Sequence, residues 1–235
     1  MDSGPTAIVT GGTGALGRAL LPLLVRRNFR IAVTYLIPEE ATALEDELDL
    51  DESQLILRRV DCTDAEAVNR FVKETVESFG SINVLCALVG GWAGGRDVAE
   101  TDDVRFDRMI DLNLRSTFHA ARATIPHLSD EWGRIITIGS RDALETPTGQ
   151  AAFNIAKAGV VALSRTLANE LSDTRTTTNV ILPAVIDTDA TRATLPFADY
   201  VSWPKPAEIA AVIDFLVSPA AAILNGAVLP VYGQV

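Results

Sequence analysis

Cysteine is almost absent: the 235 residues contain two, Cys62 and Cys86, each inside an apolar run. Two thiols so far apart form neither a disulfide framework nor a metal-ligand or redox pair, and both are read as reduced core residues. Histidine is equally scarce. His119 and His127 have no partners at metal-ligand spacing, so they read as packed or surface side chains and no metal is expected. No apolar run reaches the roughly 18 residues that a membrane span needs. Met1 to Thr6 has neither a basic cluster nor a hydrophobic stretch, and the chain reads as cytoplasmic with no membrane partner. Positive charge is in deficit, with 20 Lys and Arg against 31 Asp and Glu and a net charge of −11, which argues against nucleic acid as a partner. What is abundant is apolar material, 48% against 22% charged, enough for one buried core and too much for disorder.

Short β-branched runs alternate with longer helical patterns. Seven strands are expected: 7–10, 30–35, 54–57, 82–89, 134–138, 179–182 and 227–231. Several are nearly continuous apolar runs, the mark of strands buried on both faces, so a mostly parallel seven-stranded sheet with helices on each side is predicted. This is a doubly wound α/β layout in a single domain, 1–235. Helices are expected to begin near Ala15, Glu39, Asp64, Asp103, Thr148 and Pro206, several beside an Asp, Thr or Pro suited to a helix start. Pro230 places the last strand at a sheet edge. The acidic cluster from Glu39 to Glu52 reads as a solvated helix face and turn.

The first strand runs into Thr10-Gly11-Gly12-Thr13-Gly14-Ala15-Leu16-Gly17 and then an apolar helix. Glycines in a strand-to-helix turn let backbone approach a ligand, and the helix N-terminus offers unpaired N–H groups, so a dinucleotide's diphosphate is the expected occupant. Asp61, beside Cys62 after the third strand, is placed to accept from an adenine amino group. The second strand ends Thr34-Tyr35-Leu36, with neither the acid that selects NAD nor an arginine for NADP, and the choice between them stays open.

Further positions resemble the short-chain dehydrogenases/reductases: the glycine turn, Asp61, Asn113, Ser140 after the fifth strand, Lys157 in the next helix, and Pro183 to Thr188 after the sixth strand. The resemblance covers nearly the whole chain and implies a Rossmann fold, an NAD(P) cofactor and a homodimer or homotetramer, with Phe118, Val161 and Leu167 as candidate contacts. It assigns Tyr35, Cys62, Val89, Gly90, Pro183, Ile186 and Thr188 to the cofactor, with Thr188 at the carboxamide. It also implies an Asn, Ser, Tyr, Lys tetrad, here Asn113, Ser140, Phe153 and Lys157. The tyrosine is missing. In the family that residue passes the proton, Ser holds the substrate oxygen, Lys binds the nicotinamide ribose and Asn supports a water relay.

Three accounts of Phe153 stay open: a deliberate shape-preserving substitution, a natural change in an enzyme that needs little proton help or uses Asp142, Tyr200 or water, and a non-catalytic dinucleotide-binding regulator or partner subunit. The run Gly90-Gly91-Trp92-Ala93-Gly94-Gly95 and the segment from Leu195 to Trp203 resemble dihydropteridine reductases. That likeness implies hydride transfer to a pterin-like ring, as against a carbonyl. Trp92, flanked by glycines, would swing beside such a ring, and the segment 188–203 would act as a lid over the substrate.

Overall fold

The computed structural model describes residues 4–234. Its seven strands form one parallel sheet in the order β3-β2-β1-β4-β5-β6-β7: β1 Thr6–Thr10, β2 Arg30–Tyr35, β3 Leu55–Arg59, β4 Val84–Ala87, β5 Gly133–Ile138, β6 Thr176–Pro183 and β7 Val228–Val231. Parallel pairing requires a crossover after each strand. The helices that supply these are α1 Ala15–Arg26, α2 Pro38–Leu48, α3 Ala65–Phe79, α4 Asp103–Ile110, α5 Ser116–Thr124, α7 Ala151–Glu170 and α9 Pro206–Val217. The short helices α6 Asp142–Glu145 and α8 Asp189–Thr194 lie in loops beyond β5 and β6.

Neighbouring residues of a strand face opposite sides, and both sides are buried. Val9, Val33, Ile136 and Ile181 pack with Leu20, Leu24, Ile209 and Ile213 from α1 and α9. Ile8, Ala32, Leu85 and Ile135 pack with Val68, Phe71, Ala120 and Leu167 from α3, α5 and α7. Each such aliphatic side chain contributes about 1.5–3 kcal/mol on burial, which is what holds the helical layers to the sheet.

Several boundaries differ from those read in the sequence. The run 82–89 yields only four residues of β4, because Ile82 makes just an isolated bridge to Leu128 and the chain beyond Ala87 leaves the sheet. β6 begins at Thr176, since three threonines pair with β5 despite their polarity. α7 begins at Ala151 instead of Thr148, because Gly149 has φ +76° and Gln150 is not yet helical. Pro230 lies on β7 at the sheet edge, as expected. Leu167 is buried in the core and is not available to a second copy, whereas Phe118 is 42% exposed. Both cysteines are free and buried, and burial pushes the Cys62 thiol up to about 11 and that of Cys86 to about 12, so both are inert.

Candidate active site

β1 and β2 end side by side, and the glycine turn is stitched to that edge. Gly11 N–H donates to Thr34 Oγ1 (2.9 Å) and Gly12 N–H to the Thr34 carbonyl (3.2 Å). Gly11 takes φ +66°, which a side chain would strain, and any Cβ on Gly17 would run into the backbone of Gly12. Gly14 stands at the N-cap of α1 with no side-chain cap, leaving the first-turn N–H groups of Ala15, Leu16 and Gly17 unclaimed by a cap. Such a close, uncapped helix start fits a diphosphate. Val89 covers the turn: a Cβ on Gly11 would meet its Cγ2 at 3.0 Å.

The adenosine end is less uniform. Asp61 is exposed, but one carboxylate oxygen already accepts from the Thr63 N–H (2.9 Å) and hydroxyl (2.7 Å). Cys62 keeps its thiol in the core, 3.6 Å from Thr34 Oγ1, and its carbonyl lies 3.3 Å from His119 Nδ1, so its side chain is not a cofactor contact. Tyr35 packs half-buried against the α1 layer.

At the carboxyl edge of β4 and β5 the structure brings Gly90, Asn113, Phe153 and Lys157 together. Asn113 lies in a five-residue π-helical segment, Asp111–Arg115, between α4 and α5. Its Nδ2 donates to the Gly91 and Met109 carbonyls (2.9 and 3.1 Å) and its Oδ1 accepts from Gly91 N–H (3.1 Å). A Cβ on Gly90 would sit 2.9 Å from Asn113 Oδ1 and 3.2 Å from Lys157 Nζ, so glycine alone lets the loop approach both. Lys157, one helical turn after Phe153, is buried and donates to the Ile138 carbonyl at 2.8 Å. Burial lowers its pKa to about 8. The Phe153 ring centroid is 5.9 Å from Nζ, and the ring is buried against Met109 and Ala152. Ser140, beyond β5, accepts from the Asp142 N–H at 3.1 Å, and its hydroxyl proton stays free for another acceptor. Lys157 is the one titratable group of the four positions 113, 140, 153 and 157.

The substrate side differs from expectation. Trp92 is 50% exposed, but its indole N–H donates to Gln150 Oε1 (2.8 Å) and Gly94 passes so close that a Cβ there would strike the ring. The ring is held in place, not free to swing. Gln150 Nε2 also donates to Asp142 Oδ2 (2.6 Å) and Asn154 Oδ1 (3.1 Å), making it the joint between the tryptophan loop and α7. Tyr200 donates to the Leu195 carbonyl (3.0 Å), stacks edge-on against Trp203 and lies under Arg192; its hydroxyl serves its own segment and makes no contact with Lys157. Thr188 caps α8 by accepting from the Thr191 N–H, while the Thr191 hydroxyl donates to the Ile186 carbonyl. The Pro183 carbonyl accepts from the Arg141 N–H. Gln150 had no signal in the sequence, because a lone glutamine has no characteristic spacing. Among the described residues no group of three or more His, Cys, Asp or Glu could hold a metal ion.

A doubly wound parallel sheet with a glycine turn at the end of its first strand defines the class of dinucleotide-dependent α/β enzymes. Residues 5–198 match the family described as short chain dehydrogenase. The chain is 32% identical over 240 residues to the 3-oxoacyl-[acyl-carrier-protein] reductase MabA of Mycobacterium bovis, covering 97% of this chain and 91% of that one. It is 30% identical over 239 residues to the reductase of the same activity, FabG, of Vibrio harveyi, covering 98% and 96%. Among solved structures, a short-chain dehydrogenase/reductase from Serratia marcescens is similar with TM-score 0.91 and 29% identity over 99% of this chain and 98% of that one. One from Brucella melitensis is similar with TM-score 0.90 and 28% identity over 97% and 95%. The chain belongs to the short-chain dehydrogenase family and is an NAD(P)-dependent oxidoreductase.

Proposed function

We propose that the chain reduces a carbonyl to an alcohol at the carboxyl edge of β4 and β5, with Phe153 in the position where the family has its proton-passing tyrosine. The observation that carries this reading is the convergence of Gly90, Asn113 and Lys157 beside a buried Phe153 ring. NAD(P)H, when bound, supplies the hydride. The glycine turn from Gly11 to Gly17 and the start of α1 would hold the diphosphate. Lys157 would turn its ammonium from the Ile138 carbonyl to the nicotinamide ribose, and Ser140 would donate to the substrate oxygen. Phe153 offers no exchangeable hydrogen, so the proton must arrive through water or from the Lys157 ammonium. Asn113 spends its amide on Gly91 and Met109, which fixes the loop over the site. Segment 188–203 would close as the lid.

The 3-oxoacyl names of the relatives make a 3-oxoacyl thioester the first substrate to try. A quinonoid pterin is the second, favoured by the half-exposed indole of Trp92 at the rim and by the small acid assistance that an electron-poor ring needs. Because positioned acid catalysis contributes about 10² to 10⁴ in rate, Phe153→Tyr should raise the single-turnover rate on the true substrate by about 10² or more. A Phe153→Tyr protein that binds nucleotide and turns over neither class would overturn the catalytic reading and favour the regulator.

A further inference from the structure

The adenosine-facing end of the glycine turn carries a carboxylate that the β2 terminus does not supply. Thr13, buried in the turn, donates its hydroxyl to Glu40 Oε2 at 2.8 Å. Glu40 belongs to the first turn of α2, which opens with Pro38, and it is half-buried while its neighbour Glu39 is exposed. The turn itself is bonded to Thr34 at the end of β2. A dinucleotide lying along such a turn presents its adenosine ribose at the end of the second strand, where an acidic residue accepts from the ribose 2′-hydroxyl. Neither Tyr35 nor Leu36 supplies a carboxylate there. Glu40 reaches the same neighbourhood from the following helix, with one oxygen engaged by Thr13 and the other available.

The nearby cations are few. Arg18 is ion-paired with Glu47, and Arg59 donates its Nε to the Leu36 carbonyl at 3.1 Å. We infer that Glu40 is the residue that selects the cofactor, accepting from the free ribose hydroxyls of NAD(H) and repelling the 2′-phosphate of NADP(H). This rests on the nucleotide site described above. It differs from the β2-terminal reader in that the discriminating charge comes from α2 and is held in place by a threonine of the glycine turn.

The test is titration of NADH and NADPH by fluorescence, with ADP-ribose and 2′-phospho-ADP-ribose followed by calorimetry, on the full chain and on Glu40→Gln, Glu40→Arg and Arg59→Gln. Like charges brought together at a binding site discriminate strongly, so the unaltered chain should bind NADH about tenfold or more tighter than NADPH. Glu40→Gln should shrink that ratio by about tenfold, mainly by tightening NADPH, and Glu40→Arg should invert it. Arg59→Gln should leave it unchanged. A preference for NADPH in the unaltered chain, a ratio unmoved by Glu40→Gln, or a preference governed by Arg59 would each overturn the assignment while leaving the nucleotide site standing. If the unaltered chain bound none of the four nucleotides, the site reading beneath it would fall as well.

Discussion

Lys157 is the residue on which charge and stability meet. Its ammonium is buried with the Ile138 carbonyl as its hydrogen-bond partner, and burial brings its pKa from 10.5 to about 8. Between those values the unfolded chain binds more protons than the folded one, so stability rises as pH climbs from about 8 toward 10. Below about 8 the desolvation penalty is fully present. Replacing the charge by an apolar chain of similar length, Lys157→Met, removes that dependence. Thermal unfolding across pH 7–10 should show the unaltered chain gaining stability relative to Lys157→Met, by at most about 3 kcal/mol. A constant difference between the two would show that burial does not lower the pKa of the amine. Lys157 and Ser140 were marked in the sequence by the family resemblance, which fixes their spacing to position 153. The missing tyrosine was equally legible, since it is a matter of residue identity. The Ile138 carbonyl was not, because a backbone acceptor 19 positions away leaves no mark on side-chain pattern.

At the level of elements, caps were easier to read than interruptions. Asp64 was expected at a helix start and is the N-cap of α3, accepting from Glu66 N–H (2.8 Å) and Ala67 N–H (3.1 Å). Asp64→Ala should therefore cost about 1 kcal/mol. In urea this would appear as a lower midpoint with an unchanged slope, and a changed slope would mean that more than the cap was lost. The π-helical segment around Asn113 is the opposite case. Nothing in Asp111-Leu112-Asn113-Leu114-Arg115 announces a widened turn. It forms where α4 and α5 must both pack and Asn113 must reach Gly91, and such bulges recur at functional sites. Gly149 and Gln150 likewise delay α7, leaving the Gln150 side chain to join Trp92 to Asp142.

Across the whole molecule, the net charge of −11 repels itself in the compact state. Raising salt from low to physiological strength should raise the unfolding midpoint by a few degrees through screening, and a midpoint that falls with salt would show that specific ion pairs outweigh the repulsion. The strand order runs outward from β1 in both directions, to β2 and β3 on one side and β4 to β7 on the other. The crevice at that reversal is where α/β sheets bind ligands, and it is where the glycine turn and the lysine cluster both lie. By itself the sequence determined the parallel seven-stranded sheet, the glycine turn at the end of its first strand and the absence of a tyrosine at 153, because apolar runs, glycine spacing and residue identity are local properties of a chain. Tertiary structure alone decided that Glu40 stands beside Thr13 and that Gln150 grips Trp92, contacts 27 and 58 positions apart. The physical reason is that such polar pairings are set by how the helices pack onto the sheet, which no local pattern encodes.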